Sequence, residues 1–169
     1  MSSAPGSNFI ISRIYSAPRS LLFACFTDSS HMRNWFSPRG FDVVKADMDF
    51  REGGVYHYGM KAPDGFTVWG KFIYREIVPP SKIVFITSFS DEKGGIARHP
   101  MSPTWPLEML STVTFEEAGE GKSKLTIRWQ AWNASAEEQT TFDTSHDSMK
   151  QGWTGTMDQL AAYLAKTES

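Results

Sequence analysis

The sequence predicts an α+β fold in which a curved, mostly antiparallel sheet packs against one long C-terminal helix. Three observations carry that expectation. Strand-like segments follow one another through short turns, as antiparallel neighbours can and parallel ones cannot. Met149, Trp153, Met157, Leu160 and Leu164 recur at steps of three or four near the end of the chain, the stripe of a helix lying on a sheet. Gly53-Gly54 and Gly70 interrupt strand-like runs, where glycine suits bends, bulges and close backbone approach. A strongly curved sheet wrapped around a single helix leaves space between the two.

The elements follow in order. Residues 1–7 are small and polar and read as a disordered tip, and residues 8–166 read as one domain. Residues 9–15 mix apolar and β-branched side chains, the composition of a first strand. Ala17-Pro18 ends it, and Pro18 suits the first turn of a helix, where its missing N–H costs nothing. Leu21, Leu22, Ala24, Cys25 and Phe26 give that helix its spacing. Asp28-Ser29-Ser30 breaks it and caps a second short helix carrying Met32, Trp35 and Phe36. Residues 41–50 read as a strand, punctuated by Gly53-Gly54 and resumed over 55–60. Ala62-Pro63-Asp64-Gly65 and Pro79-Pro80-Ser81 are turns bounding a strand over 66–78. Residues 82–89 form another strand, and 90–106, with three Pro and two Gly, read as a long excursion. Residues 107–115 and 123–132 form a hairpin around Gly119-Glu120-Gly121. Ser135 and Glu138 match a capping box, and the long helix follows Ser145.

Composition excludes several classes of function. The net charge is -2, and Lys and Arg are scattered, so the basic face of a nucleic-acid binder is missing. No apolar run approaches the ~20 residues that span a bilayer, and the first residues lack the pattern of a signal peptide. Cys25 is the single cysteine, which fits a reducing, cytoplasmic location. The four histidines, His31, His57, His99 and His146, show no metal-ligand spacing. Phosphate-binding glycine loops and nucleophile elbows are absent. The sequence therefore points to no catalytic residue, no metal and no cofactor.

What it does offer is an excess of aromatics, 14% of the chain, which either fill a core or wall a cavity. Tyr56, Tyr58 and Met60, spaced by two, share one strand face. Phe85 and Phe89 point inward from another strand, with Trp69 or its neighbour Val68 from a third. Met109 and Trp129 are the matching positions of the last hairpin, as are Val113 and Ala131. Trp35 and Phe36 come from the second short helix, and Trp153 and Met157 roof the space from the long one. His99, in the excursion, is the candidate for a polar contact to a ligand, with Glu108 and Arg128 as further polar groups. Gly152 would let helix and sheet approach closely. Asp49 and Arg51 fall on one face and can pair, bracing the bend before Gly53. His57 is opposite in parity to Tyr56 and Tyr58 and should face solvent. Cys25 lies on the apolar face of the first helix and reads as inert packing.

Ala17-Pro18 followed by Phe23, Trp35, Asp49-x-Arg51-x-Gly53-Gly54, Asp64-Gly65, Gly70 and Gly152-Trp153 form an ordered series. In order and spacing it resembles the family of the activator of heat-shock protein 90 ATPase, through its C-terminal domain. That family lies within the START-like (SRPBCC) superfamily, and residues 99–107 are similar to a bacterial subgroup of it. The resemblance covers residues 9–164 or so. It implies a helix-grip fold, a seven-stranded antiparallel sheet curled around a long C-terminal helix, with a deep cavity between them. It implies binding of a hydrophobic or amphipathic small molecule there. Two alternatives come with it: a cyclase- or aromatase-like enzyme using the same cavity, and a chaperone-interacting stress-response protein. The eukaryotic co-chaperone carries an additional N-terminal domain for which this chain has no room, which argues against a chaperone interaction. An exposed sheet edge or helix end leaves a homodimer open.

Overall fold

Strand β1 (Phe9–Tyr15) leads into helices α1 (Arg19–Thr27) and α2 (Ser29–Met32). Strands β2 (Asp42–Met48), β3 (Val55–Lys61), β4 (Thr67–Val78) and β5 (Lys82–Ser90) follow as a meander. The two-residue β6 (Ile96–Ala97) precedes the hairpin of β7 (Glu108–Glu117) and β8 (Ser123–Trp132). Helices α3 (Ala136–Asp143) and α4 (His146–Thr167) close the chain. The computed structural model describes residues 8–36, 40–99 and 102–167; the tip expected over 1–7 lies outside them. Among the described residues, no helix is long and apolar enough to cross a membrane.

The strands form one antiparallel sheet in the order β1-β8-β7-β5-β4-β3-β2, with β6 beside β5 off this path. The seven-strand path is the helix-grip sheet that the family resemblance implies. Strand β6 is the part that the Pro- and Gly-rich composition of 90–106 concealed. β7 pairs with β5 only as far as Thr87, and Ile96–Ala97 takes up the free edge at Phe89 and Ser90.

Local chemistry sets the helix boundaries. The Pro18 carbonyl accepts the amides of Leu21 and Leu22 at 3.0 and 3.2 Å, so Pro18 stands just before α1 rather than inside it. Asp28 caps α2 by accepting the Ser30 amide at 2.8 Å. Trp35 and Phe36 fall in the turn after α2, whose helix stops at Met32. The capping box of α3 is complete: Glu138 N donates to Ser135 Oγ at 3.1 Å and Ser135 N to Glu138 Oε1 at 2.9 Å.

The curvature arises at positions other than the expected glycines. One extra residue enters β2 between Val43 and Lys45, and one enters β4 between Tyr74 and Glu76. Such bulges bend and twist a strand. The β3–β4 register runs unbroken past Gly70. Gly53-Gly54 sits in the β2–β3 loop, where Gly53 N donates to Tyr74 O at 2.8 Å and Tyr74 N to Gly54 O at 3.0 Å. A side chain at Gly54 would place its Cβ 2.1 Å from the Asp49 carbonyl oxygen, so only glycine fits. The Asp49–Arg51 pair forms at 2.8 Å, with both side chains more than half exposed. It therefore adds only ~0–1 kcal/mol.

The core lies between the inner sheet face, α1 and the C-terminal half of α4. Tyr15, Leu22, Phe26, Phe115, Leu125, Ile127 and Leu160 are buried within it. Cys25 belongs there too, and burial pushes its thiol up to about 11, an inert state. Helix α4 is anchored on the β1 side, where Tyr15 Oη donates to Met157 O at 3.1 Å and Arg13 pairs with Asp158 at 2.8 Å. On the α2 side, His31 Nδ1 lies 2.6 Å from Tyr163 Oη. A smaller cluster of Phe9, Met109, Phe142 and Met149 packs the N-terminal end of α4. Opposite β3, β4 and β5 the sheet and helix enclose open space.

Candidate ligand cavity

The space left there is a cavity of about 770 Å³. Alternation along each strand decides which side chains reach it. On β5, Phe85, Thr87 and Phe89 point inward, and on β3 Tyr58 and Met60 do so. β4 contributes Val68 and Phe72, and the last hairpin contributes Met109 and Trp129. Phe72 and Phe85 stack at 4.1 Å and form the floor. Phe36 stands edge-on to Tyr58 at 5.5 Å and lies 6.4 Å from Trp153, so the turn after α2 and helix α4 meet over the sheet. Trp153 in turn meets Trp129 edge-on at 5.7 Å.

The excursion supplies another wall, through His99, Ser102, Trp105 and Pro106; residues 100–101 lie outside the described ones. It is tied to α3 rather than left loose. Arg98 pairs with Glu138, and Thr141 Oγ1 donates to Thr104 Oγ1 at 2.8 Å. The Trp105 ring rests 6.2 Å from Phe142. The Arg98 guanidinium beside Glu138 holds that carboxyl below its usual range. His99 lies between the rings of Phe89, at 4.7 Å, and Trp105, at 6.0 Å. Burial there lowers its imidazole pKa. Burial raises the Tyr58 phenol, whose hydroxyl bonds to Thr87. Both groups are accordingly neutral near pH 7.

Nine of the sequence candidates thus meet on the wall: Phe36, Tyr58, Met60, Phe85, Phe89, His99, Met109, Trp129 and Trp153. Four do not. Trp35 is buried under α1, its Nε1 donating to Cys25 O at 3.1 Å. Tyr56 and Met157 are 1% exposed and belong to the solid core, because bulk from β2 and α1 fills the space at their end of the sheet. Trp69 lies on the outer face, since β4 keeps its parity through Gly70 and turns Val68 inward instead. Of the further polar groups, Glu108 and Arg128 are not on the wall; Arg128 is exposed.

Two other expectations are corrected. His57 does face away from the cavity, yet it is buried, stacked on Trp69 at 5.5 Å with its Nε2 3.2 Å from the Asp91 carbonyl oxygen. Gly152 does not bring helix and sheet together, because no atom lies within 4 Å of where its Cβ would be. The sequence reading also passed over Phe72 and Thr87, whose inward parity follows from Phe85 and from the β4–β5 register. It passed over the polar flank of α4, including Ser148, Gly155 and Thr156. Among the described residues no cluster of three metal-ligating side chains occurs.

An open antiparallel sheet gripping a long C-terminal helix, with a cavity between them, defines a helix-grip protein. The chain belongs to the family described as "Activator of Hsp90 ATPase homolog 1-like protein", which matches residues 16–165. Solved structures share the fold at low identity. A protein from Arthrobacter aurescens is 24% identical with a TM-score of 0.77, over 94% of this chain and 86% of that one. A Staphylococcus epidermidis protein is 24% identical with a TM-score of 0.75, over 98% and 93%. A Mycobacterium smegmatis protein is 22% identical with a TM-score of 0.74, over 93% and 90%. No curated protein matches the chain.

Proposed function

We propose that the chain binds a hydrophobic or amphipathic small molecule in the cavity between the curved sheet and α4. The observation that carries this reading is the cavity itself, about 770 Å³ behind a wall of Phe, Tyr, Trp and Met side chains. Its size falls within the ~300–1,000 Å³ of small-molecule sites, and Met beside aromatics adapts to irregular apolar shapes. Tyr58, Thr87 and His99 are the polar groups that would orient the ligand. As neutral groups they suit hydrogen bonds to an uncharged partner better than ion pairing. The single cysteine, free and buried, accords with a cytoplasmic setting.

The test is titration with N-phenyl-1-naphthylamine, an uncharged aromatic probe whose emission rises in apolar surroundings. Trp105, Trp129 and Trp153 line the cavity, so saturable probe emission should be mirrored by a change in tryptophan emission. Val68→Trp, which fills the space from β4, should weaken binding by ~10-fold or more, about 1.4 kcal/mol. Equal binding by a folded Val68→Trp variant, or no saturation with the natural chain, would remove the proposal.

A further inference from the structure

We infer that ligands reach the cavity along the flank of α4, over Gly152 and Gly155, and that the missing side chains there set the width of the entrance; this rests on the cavity binding a ligand. The first observation is where the wall meets solvent. Its exposed members, Ser148, Gln151, Gly152, Gly155 and Asp158, all lie on α4. Every other described wall residue, whether on α1, α2 and the turn after it, the strands, the excursion or α4 itself, is buried or half-buried. The mouth therefore follows one side of one helix.

The second observation is the space beside the two glycines. A Cβ built at Gly152 or Gly155 meets no atom within 4 Å. Gly59, Gly70 and Gly54 differ, since a Cβ there would collide with a ring or a carbonyl. Neither helix glycine takes the left-handed backbone that excludes side chains. Neither packing nor backbone geometry explains them, and each weakens the helix by about 0.5–1 kcal/mol relative to Ala. Three residues apart, they lie on one face and together leave a gap in the side-chain cover of α4. The position of α4 is fixed by Tyr15 on the Met157 carbonyl, Arg13 on Asp158 and His31 on Tyr163, so the gap does not close by movement of the helix toward the sheet.

The proposal separates rate from affinity. Gly152→Leu and Gly155→Leu, singly and together, should place side chains in the passage without touching the aromatic floor. With N-phenyl-1-naphthylamine followed by stopped-flow emission, the double variant should associate ~10-fold more slowly or worse. Its dissociation should slow as well, because the ligand leaves by the passage it entered. Its melting temperature should hold or rise, since Leu favours helix over Gly. Unchanged association in the folded double variant overturns the inference. So does a weaker Kd with an unchanged association rate, because the side chains would then occupy the site rather than the entrance. Loss of folding in the double variant also overturns it, since the two positions would not be open. If the natural chain fails to bind the probe, the binding proposal itself falls, a result distinct from each of these.

Discussion

Gly70 and Gly59 make opposed tests of how the sheet presents its aromatics. In the β3–β4 ladder, Tyr58 pairs with Gly70 and Gly59 with Trp69. Each ring lies over the glycine opposite, Tyr58 on the cavity face and Trp69 on the outer face. A Cβ at Gly70 would stand 2.4 Å from Tyr58 Oη and 2.5 Å from its Cζ. The ring must retreat by roughly 1 Å, and overpacking of this kind costs about 1–3 kcal/mol. Relief of glycine entropy in the strand returns about 0.5–1 kcal/mol. Gly70→Ala should therefore destabilise by about 1 kcal/mol and at most ~2.5 kcal/mol, lowering Tm by at most roughly 10 °C for a domain of this size. In a Tyr58→Ala background the obstacle is gone, and the same change should be neutral or slightly stabilising. Urea unfolding of the four proteins in that cycle gives the coupling directly. Gly59→Ala meets Trp69 at 2.6 Å and should lower stability similarly, yet it acts on the face away from the cavity. Gly70→Ala should thus alter probe binding and Gly59→Ala should not. If Gly70→Ala costs the same with and without the Tyr58 ring, the reasoning fails.

Two further outcomes follow from single groups. Gly54→Ala drives a Cβ into the Asp49 carbonyl, a backbone atom that cannot rotate away, and should lower stability by more than the ~2.5 kcal/mol upper estimate for Gly70→Ala; a smaller loss in urea unfolding would show that the β2–β3 loop relaxes. The His99 imidazole is lowered by burial, so between its folded and unfolded pKa values the native state holds fewer protons. Stability then rises with pH there and is lost as pH falls below about 6.5; His99→Gln should flatten the dependence between pH 7 and 5, and an unchanged slope would place its cause elsewhere.

Much of the fold was legible because local and long-range signals agreed. Ser135 and Glu138 specify the start of α3 through local hydrogen bonds alone, and the Met149-to-Leu164 stripe specifies α4. The β7–β8 hairpin followed from apolar alternation on either side of a glycine turn. Bulges were harder to read. The extra residues near Val44 and Arg75 carry no glycine signature, whereas Gly53-Gly54 and Gly70 are visible in sequence and suggest curvature where the ladder has none. The ladder shows the other use of glycine, as a seat for a ring on the neighbouring strand.

The candidate site was legible only as far as strand parity reached. Parity placed Tyr58, Met60, Phe85 and Phe89 on the wall, and it failed at Trp69 because a bulge was expected at Gly70 where the register is continuous. It could not separate Tyr56 from Tyr58. Both point to the same face, but Tyr56 sits two residues further toward the end that Phe23, Phe26 and Trp35 fill, a fact of helix docking rather than of alternation. Outer-face burial was invisible for the same reason. His57 is covered by Trp69 and by the turn at Asp91, a contact between residues 34 apart in sequence. Helix periodicity likewise drew attention to the apolar stripe of α4, which holds the helix down, and away from its polar, glycine-containing flank. Yet a helix that roofs an open cavity must present two faces inward, one to the core and one to the void. The second has no reason to be apolar where it meets water, so small and polar residues there are what an entrance requires.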